Sequence, residues 1–216
     1  MLFEKNDTVL FIGDSISDYE RRRPVGEGLF NAWGTSYVAN ASALLSCMYP
    51  ELGLRLINMG ISGNQITSLE ERWETDVMAL KPDWVSVLIG INDVWRQFDS
   101  PQIPEHHVLP DVYEATYERL MERTLPHVKG MILMTPYFME PNRADPMRAR
   151  MDEYGEIVRK TAEKYGQTFV DLQAAWDKLF VYMHPCNIAW DRIHPNQTGH
   201  MYIAKQFLAA VGADRA

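Results

Sequence analysis

Cysteine and long apolar runs are both scarce in this sequence of 216 residues. Its two cysteines, Cys47 and Cys186, lie far apart and in no metal-ligand spacing, which favours two reduced thiols over a disulfide or a zinc site. No apolar run approaches the ~18 residues that a membrane span requires, and no apolar segment typical of a secretory signal precedes the first predicted strand. We therefore expect a cytoplasmic protein that binds no metal.

Positive charge is also in short supply. The chain carries 29 acidic and 21 basic side chains, which gives a formal net charge of −8. An acidic surface repels phosphate backbones and anionic lipid headgroups, so neither nucleic acid nor a membrane surface is expected as a partner. The length predicts a single domain, residues 1–216, with a core large enough to fold without covalent crosslinks.

What the sequence does contain is five short apolar runs rich in β-branched residues. Continuous runs of this kind are typical of strands buried on both faces of a parallel sheet, and stretches of helical periodicity separate them. The alternation predicts the α/β class, a three-layer α/β/α sandwich around a central, mostly parallel five-stranded sheet. The predicted strands are 8–13, 54–59, 84–90, 131–135 and 168–171, with long loops over 18–35 and 94–110.

The first predicted strand runs into the sequence Gly13-Asp14-Ser15. A tight acidic turn at that point presents Ser15 at the sheet edge, where open α/β sheets bind their ligands. Ser15 as the N-cap of a following helix accounts for the same residues equally well. A phosphate-binding loop is disfavoured because Asp14 and Asp18 would repel the anion.

Asp191 and His194 stand just before a predicted C-terminal helix that begins near Asn196. A carboxylate three residues before an imidazole can hydrogen-bond one ring nitrogen while the other nitrogen faces a serine. A nucleophilic serine needs such a base, and the base needs a third group to fix its tautomer. Taken alone, the motif also fits a surface turn with a solvated histidine.

Two further predicted strand ends supply donors for an oxyanion hole. Gly60 follows the second strand and lets its backbone N–H approach a ligand closely, and Asn92 follows the third with a side-chain amide. Acyl transfer places negative charge on the former carbonyl oxygen, which such donors stabilise. A plain turn glycine and a loop-capping amide are the alternatives.

Together the four blocks resemble the SGNH hydrolases, a family named for Ser, Gly, Asn and His in separated motifs. The matching positions are Ser15, Gly60, Asn92 and His194, with Asp191 three residues before the histidine. The first block reads Gly-Asp-Ser-Ile instead of Gly-Asp-Ser-Leu, a conservative change. The resemblance implies the flavodoxin-like SGNH fold and a serine esterase that works through a Ser-His-Asp triad.

Several segments also resemble the intracellular acetylxylan esterases of xylan-using bacteria. That resemblance implies removal of acetyl groups from short xylo-oligosaccharides, no cofactor, and a higher homo-oligomer such as an octamer. Alternatives are an SGNH arylesterase, lysophospholipase or thioesterase on small acyl esters and, more distantly, a non-catalytic flavodoxin-like binding module. The similar segments are 21–28, 58–64, 82–97, 130–136 and 190–195.

Four residues near these motifs are candidate substrate contacts. Trp95 and Trp190 offer aromatic faces for sugar rings; wall or interface packing is the alternative for both, and for Trp190 it explains the residue equally well. Arg21, the first of three consecutive arginines, could hold an acidic sugar branch, but such a run is more typical of a solvated face or of ion pairs with Glu20 and Glu27. Asp14, beside the nucleophile, is the fourth candidate.

Overall fold

Five parallel strands form the central sheet of the computed structural model, which describes residues 1–213. Their order is β2-β1-β3-β4-β5, and every neighbouring pair is parallel. The predicted α/β class and its five-stranded sheet are therefore confirmed. The strands are β1 Thr8–Gly13, β2 Arg55–Asn58, β3 Trp84–Leu88, β4 Gly130–Met134 and β5 Thr168–Val170.

Burial on both faces explains why the strands form where the apolar runs predict them. Val9, Leu10, Phe11 and Ile12 follow one another along β1, and none of them is exposed to solvent. Predicted and observed strand ends differ by at most two residues. The largest difference lies at the end of β3, where apolar burial continues at Ile89, past the last ladder hydrogen bond.

Helices cover both faces of the sheet. On one face α2 packs against α8, and on the other α5 lies between α3 and α6. This division follows from right-handed crossovers on either side of β1, the strand at which the order of the sheet reverses. The helices are α1 Ser15–Asp18, α2 Tyr37–Met48, α3 Ile66–Asp76, α4 Ile91–Asp99, α5 Pro110–Thr124, α6 Pro146–Tyr165, α7 Leu172–Leu179 and α8 Gln197–Ala210.

The long loop predicted over 94–110 is wrong in its first third. Helix α4 occupies Ile91–Asp99, and only the remainder is irregular apart from a short 3₁₀ turn at Pro104–His106. The buried face of α4 includes Asn92 and Asp93. The sequence does carry the signal of an amphipathic helix here, because four apolar residues recur at the i, i+3, i+4 and i+7 spacing: Ile91, Val94, Trp95 and Phe98.

Within the described residues, 1–213, no helix combines the length and the apolarity needed to cross a membrane.

Candidate active site

Ser15 lies two residues beyond the carboxyl end of β1, at the edge of the sheet where the strands end. Gly13 allows the close approach, since a Cβ there would lie 2.2 Å from the carbonyl oxygen of Leu88. Asp14 then caps α1 by accepting a hydrogen bond from the N–H of Ile16 at 2.9 Å. Ser15 is thereby the first residue of a four-residue helix, with its side chain partly exposed.

Asp14 does not fit its predicted role as a substrate contact. Its side chain is only 1% exposed and is turned into the protein as a helix cap. Burial raises the pKa of this carboxyl from 3.8 to about 7, although the hydrogen bond from Ile16 lowers it in part. Its position is explained by the architecture of the nucleophile turn.

His194 reaches Ser15 from the other end of the chain. Its Nε2 lies 3.0 Å from Ser15 Oγ, within hydrogen-bonding distance. The loop that carries the imidazole is fixed from both sides: Asn196 caps α8 through the N–H of Gly199, and the Tyr19 hydroxyl donates to the carbonyl of Pro195 at 3.0 Å. The ring therefore sits on a loop tied directly to the end of α1.

Asp191 completes the chain of hydrogen bonds. Its Oδ2 lies 2.6 Å from His194 Nδ1, while its Oδ1 accepts the backbone N–H groups of Ile193 and His194 at 3.0 and 2.9 Å. Burial raises the pKa of this carboxyl, but the hydrogen bonds from His194 and the backbone outweigh that effect and lower it below its ordinary value. A carboxylate in this state fixes the His194 tautomer with the proton on Nδ1 and leaves Nε2 to accept the Ser15 proton.

His200, the other histidine near this end of the chain, has a different environment. Its Nδ1 accepts the backbone N–H of Tyr37 at 3.1 Å, and the ring is packed edge-on against Tyr19. Burial, with the nearby His194, lowers the pKa of His200 from 6.5 to about 4. It is a neutral core histidine.

Gly60 does not have the free donor that was predicted for it. Its N–H is donated to Asn58 Oδ1 at 2.9 Å, and its carbonyl accepts from Arg21 Nε at 2.6 Å. A Cβ at this position would lie 2.5 Å from the backbone nitrogen of Asp18. Gly60 is thus a close-packing residue between β2 and α1, and the oxyanion-hole assignment for it is corrected.

Gly63, which the sequence analysis passed over, has the properties expected of the donor. In the 60–64 loop, Ile61, Ser62 and Asn64 all donate their N–H groups within the protein, whereas the described residues supply no acceptor for the N–H of Gly63. Its φ of +81° is one that glycine adopts without strain, and a Cβ there would meet open space. The sequence has two glycines in this loop, Gly60 and Gly63, and of these only Gly63 has a backbone N–H without an acceptor among residues 1–213.

Asn92 lies where the sequence predicted, at the start of α4. Its side chain is 2% exposed, and its Nδ2 donates to the carbonyl of Asn64 at 3.0 Å. An amide nitrogen has two N–H groups, so one fixes the rotamer against the 60–64 loop and the other remains for a ligand. Ser15, Gly63 and Asn92 thus bring donors from three strand ends to the same edge of the sheet.

The two candidate tryptophans have different surroundings. Trp95 is partly buried on α4, with its ring centroid 6.0 Å from that of His194 in an edge-on arrangement, so it borders the triad. Trp190 is 85% exposed although it directly precedes Asp191. Packing against a wall of its own chain is therefore excluded for Trp190.

Arg21 also departs from its predicted role as a substrate contact. It is 4% exposed, and its guanidinium donates to the carbonyls of Gly60 and Pro24 at 2.6 and 2.7 Å. Its donors are directed at backbone carbonyls and lie away from solvent. Arg21 therefore holds the segment after α1 against the start of the 60–64 loop.

Comparisons with known proteins agree with this geometry. The model of the GDSL-like lipase/acylhydrolase family matches residues 11–202. An acetylxylan esterase of Geobacillus stearothermophilus is 53% identical over 212 residues, which cover 98% of this chain and 97% of that enzyme. The crystal structure of Axe2, an acetylxylan esterase from the same organism, has a TM-score of 0.97 at 53% identity and covers 98% of this chain and 97% of that one.

A second solved structure is as similar. LAE5, an alpha/beta hydrolase enzyme from the metagenome of Lake Arreo in Spain, has a TM-score of 0.98 at 53% identity, with both chains covered completely. Further structures of Axe2 are those of its catalytic mutants S15A, D191A and H194A. This chain belongs to the GDSL-like lipase/acylhydrolase family, whose SGNH motifs its sequence resembles, and it is a carboxylic ester hydrolase.

Proposed function

We propose that this protein removes O-acetyl groups from xylo-oligosaccharides, with Ser15 as the nucleophile. The observation that carries the chemistry is the continuous hydrogen-bonded chain from Ser15 Oγ to His194 at 3.0 Å and on to Asp191 at 2.6 Å. The substrate rests on the acetylxylan esterase that is 53% identical over nearly the whole chain. No metal or other cofactor is needed for this reaction.

Acylation begins when Ser15 Oγ attacks the carbonyl carbon of the acetyl group and His194 Nε2 takes the hydroxyl proton. The negative charge that develops on the carbonyl oxygen is stabilised by the N–H groups of Ser15 and Gly63 and by the side-chain amide of Asn92. The tetrahedral intermediate collapses as the bond to the sugar oxygen breaks. His194 gives its proton to that oxygen, and Asp191 stabilises the imidazolium while it exists.

Deacylation repeats the sequence with water. His194 accepts a proton from a water molecule as the water attacks the acetyl-enzyme, and the same three donors stabilise the second oxyanion. Collapse of that intermediate breaks the bond between Ser15 Oγ and the acetyl carbon, returns the proton to Oγ and releases acetate. Trp95, beside His194, is positioned to contact the sugar ring that carries the ester.

The test is acetate release from acetylated xylo-oligosaccharides, run beside p-nitrophenyl acetate and p-nitrophenyl octanoate. We expect rapid release from the sugar and little octanoate hydrolysis, and we expect Ser15→Ala to abolish turnover of the sugar and acetate substrates without unfolding the protein. Octanoate turnover without sugar deacetylation would place the enzyme among the aryl or lipid esterases of the family. Undiminished activity of Ser15→Ala would refute the role of the nucleophile.

We further propose that the protein assembles into a higher homo-oligomer. Trp190 and Tyr182 are 85% and 87% exposed, and Val181, which is next to Tyr182 in sequence, is 77% exposed. Exposed apolar groups of this size are enriched in protein interfaces. Analytical ultracentrifugation should show a species larger than a monomer, and Trp190→Ala should shift it towards smaller species. A monomeric wild type would refute the assembly.

A cytoplasmic location is part of the same proposal. Cys47 and Cys186 are both exposed and unpaired, a state that reducing compartments maintain. Fractionation of cells that express the native gene should place the protein with cytoplasmic markers. Recovery from the culture medium or the envelope would contradict it.

A further inference from the structure

The 60–64 loop, which carries the Gly63 donor, is held on several sides by hydrogen bonds from other elements. Ile61 donates its N–H to the carbonyl of Gly13 at 3.0 Å, and the N–H and hydroxyl of Ser62 both donate to Asp18 Oδ2 at 2.9 Å. These bonds fix the first half of the loop to β1 and α1. The second half, next to Gly63, depends on a different residue.

That residue is Arg72, two turns into α3, with a side chain 13% exposed. Its Nε donates to Asn64 Oδ1 at 2.7 Å, and its two terminal nitrogens donate to the carbonyls of Met59 at 2.8 Å and Gly13 at 3.1 Å. A fourth bond, at 2.7 Å, joins it to Asp76 one turn further along the same helix. One guanidinium therefore contacts the end of β1, the end of β2 and the residue after Gly63.

Two of the three acceptors outside α3 lie close in sequence to residues that supply groups of the active site. Gly13 stands two residues before Ser15, and Asn64 directly follows Gly63. The carbonyl of Asn64 also accepts the amide of Asn92, so the same residue is held by Arg72 through its side chain and by Asn92 through its backbone. Moving Asn64 would therefore displace two of the three oxyanion donors relative to Ser15.

We propose that Arg72 is a positioning residue that keeps the 60–64 loop at the correct distance from the nucleophile turn. The inference rests on the function proposed above, because it assigns Gly63 and Asn92 to the oxyanion hole. Catalytic constellations must be held to within about 0.5 Å of the productive geometry. The planar guanidinium of arginine has donors in fixed directions and can hold the loop this closely, whereas the flexible ammonium of lysine holds it less well.

The competing explanation is that Arg72 only stabilises the fold through its ion pair with Asp76. Both explanations expect some loss of thermal stability when the side chain is removed, so stability does not separate them. A positioning role affects the transition state, and it should lower kcat and the rate at which Ser15 reacts with a phosphonate that mimics the oxyanion. Substrate binding, and therefore KM, should change little.

The experiment compares Arg72→Met and Arg72→Lys with wild type on p-nitrophenyl acetate and on a p-nitrophenyl alkylphosphonate. A misplacement of about 1 Å costs about 10²-fold in rate, so Arg72→Met should lose about 10–100-fold in kcat and in phosphonylation rate, with Arg72→Lys between it and wild type. Arg119→Met is the matched control. Arg119 forms an exposed ion pair with Glu70 of α3 and should leave kcat unchanged.

Asn64→Ala keeps the inference testable if Arg72→Met does not fold. This variant removes one acceptor of Arg72 while the backbone carbonyl remains for Asn92. Asn64→Ala should also lower kcat. Combined with Arg72→Lys, it should lower kcat by less than the product of the two single losses, because both changes act on the hydrogen bond between Arg72 and Asn64.

Unchanged kcat in a folded Arg72→Met variant, or in Asn64→Ala, would overturn the inference while leaving the esterase assignment intact. A wild-type protein that neither hydrolyses acetyl esters nor reacts with the phosphonate would refute the proposed function itself. The two failures are therefore distinguishable.

Discussion

Two buried carboxyls behind the active site should each contribute a loss of stability as the pH rises. Asp14 caps α1, and Asp93 accepts the N–H of Ile66 at 2.9 Å, at the start of α3. Each has a second carboxyl oxygen with no partner among the described residues. Burial, with a further contribution from Asp14, raises the pKa of Asp93 from 3.8 to about 7.

The size of the effect follows from that pKa difference. Between about pH 4 and pH 7 the native state keeps a proton on Asp93 that the unfolded chain has released, so the free energy of unfolding falls as pH rises. Each pKa unit corresponds to about 1.4 kcal/mol, so a pKa difference of about 3 lowers the free energy of unfolding by about 4 kcal/mol over the whole interval. The change Asp93→Asn removes this contribution and keeps an oxygen that can accept the N–H of Ile66.

The assay is urea unfolding from pH 4 to pH 8.5 at one protein concentration, followed by tryptophan fluorescence. The difference in unfolding free energy between wild type and Asp93→Asn reports this carboxyl together with its coupling to Asp14, because all other titrating groups are common to both proteins. Wild type should lose about 4 kcal/mol relative to the variant as the pH rises to 7, and nothing further above it. Asp99→Asn, on the exposed end of the same helix, is the control. A difference that stays constant across the range would refute the reasoning.

Three further predictions concern the same region. Asn92→Ala should lower kcat on p-nitrophenyl acetate by about 10²–10³-fold; an unchanged kcat would exclude its amide from the oxyanion hole. Gly60→Ala should lower the free energy of unfolding by about 1–3 kcal/mol through overpacking against Asp18, and an unchanged Tm would contradict this. Because the pKa of His200 is lowered from 6.5 to about 4, the unfolded state takes up its proton first, and this group should cost wild type about 3 kcal/mol relative to His200→Asn as the pH falls across that interval. His200→Asn, which retains an acceptor for Tyr37, should lack this loss in urea unfolding, and a parallel pH profile would refute the assignment.

The strands were predictable because burial on both faces of a parallel sheet leaves a direct mark on the sequence. The helix α4 was predictable as well, although part of it was predicted as a loop, because its apolar residues recur at helical spacing: Ile91, Val94, Trp95 and Phe98. What the sequence does not show is why Asn92 and Asp93 are buried: Asn92 donates to the carbonyl of Asn64, and Asp93 accepts the N–H of Ile66, the first residue of α3. Buried polar residues are stable only when such partners exist, and the partners are far away in sequence.

The arginine run shows the same limit in a different form. Sequence alone predicts that three consecutive arginines face solvent or pair with Glu20 and Glu27. In the structure Arg23 pairs with Asp18, Glu27 pairs with Arg55, and Arg21 is buried against backbone carbonyls. Carbonyl acceptors are present at every residue, so no charge pattern in the sequence indicates where a buried guanidinium will find them.

The triad and the oxyanion hole differ in how far residue identity determines them. A nucleophilic serine, an imidazole and a carboxylate are recognisable by side-chain type, so Ser15, Asp191 and His194 could be chosen before any geometry was available. A backbone N–H is common to nearly every residue, and what matters is whether the fold has already used it. The N–H of Gly60 is donated to Asn58, while that of Gly63 has no acceptor among residues 1–213 and lies in a loop held by Asn64 and its partners. Sequence therefore specifies the triad through the chemistry of its side chains, whereas the donors that stabilise the charge of the reaction are selected by the hydrogen bonds that the rest of the fold has made.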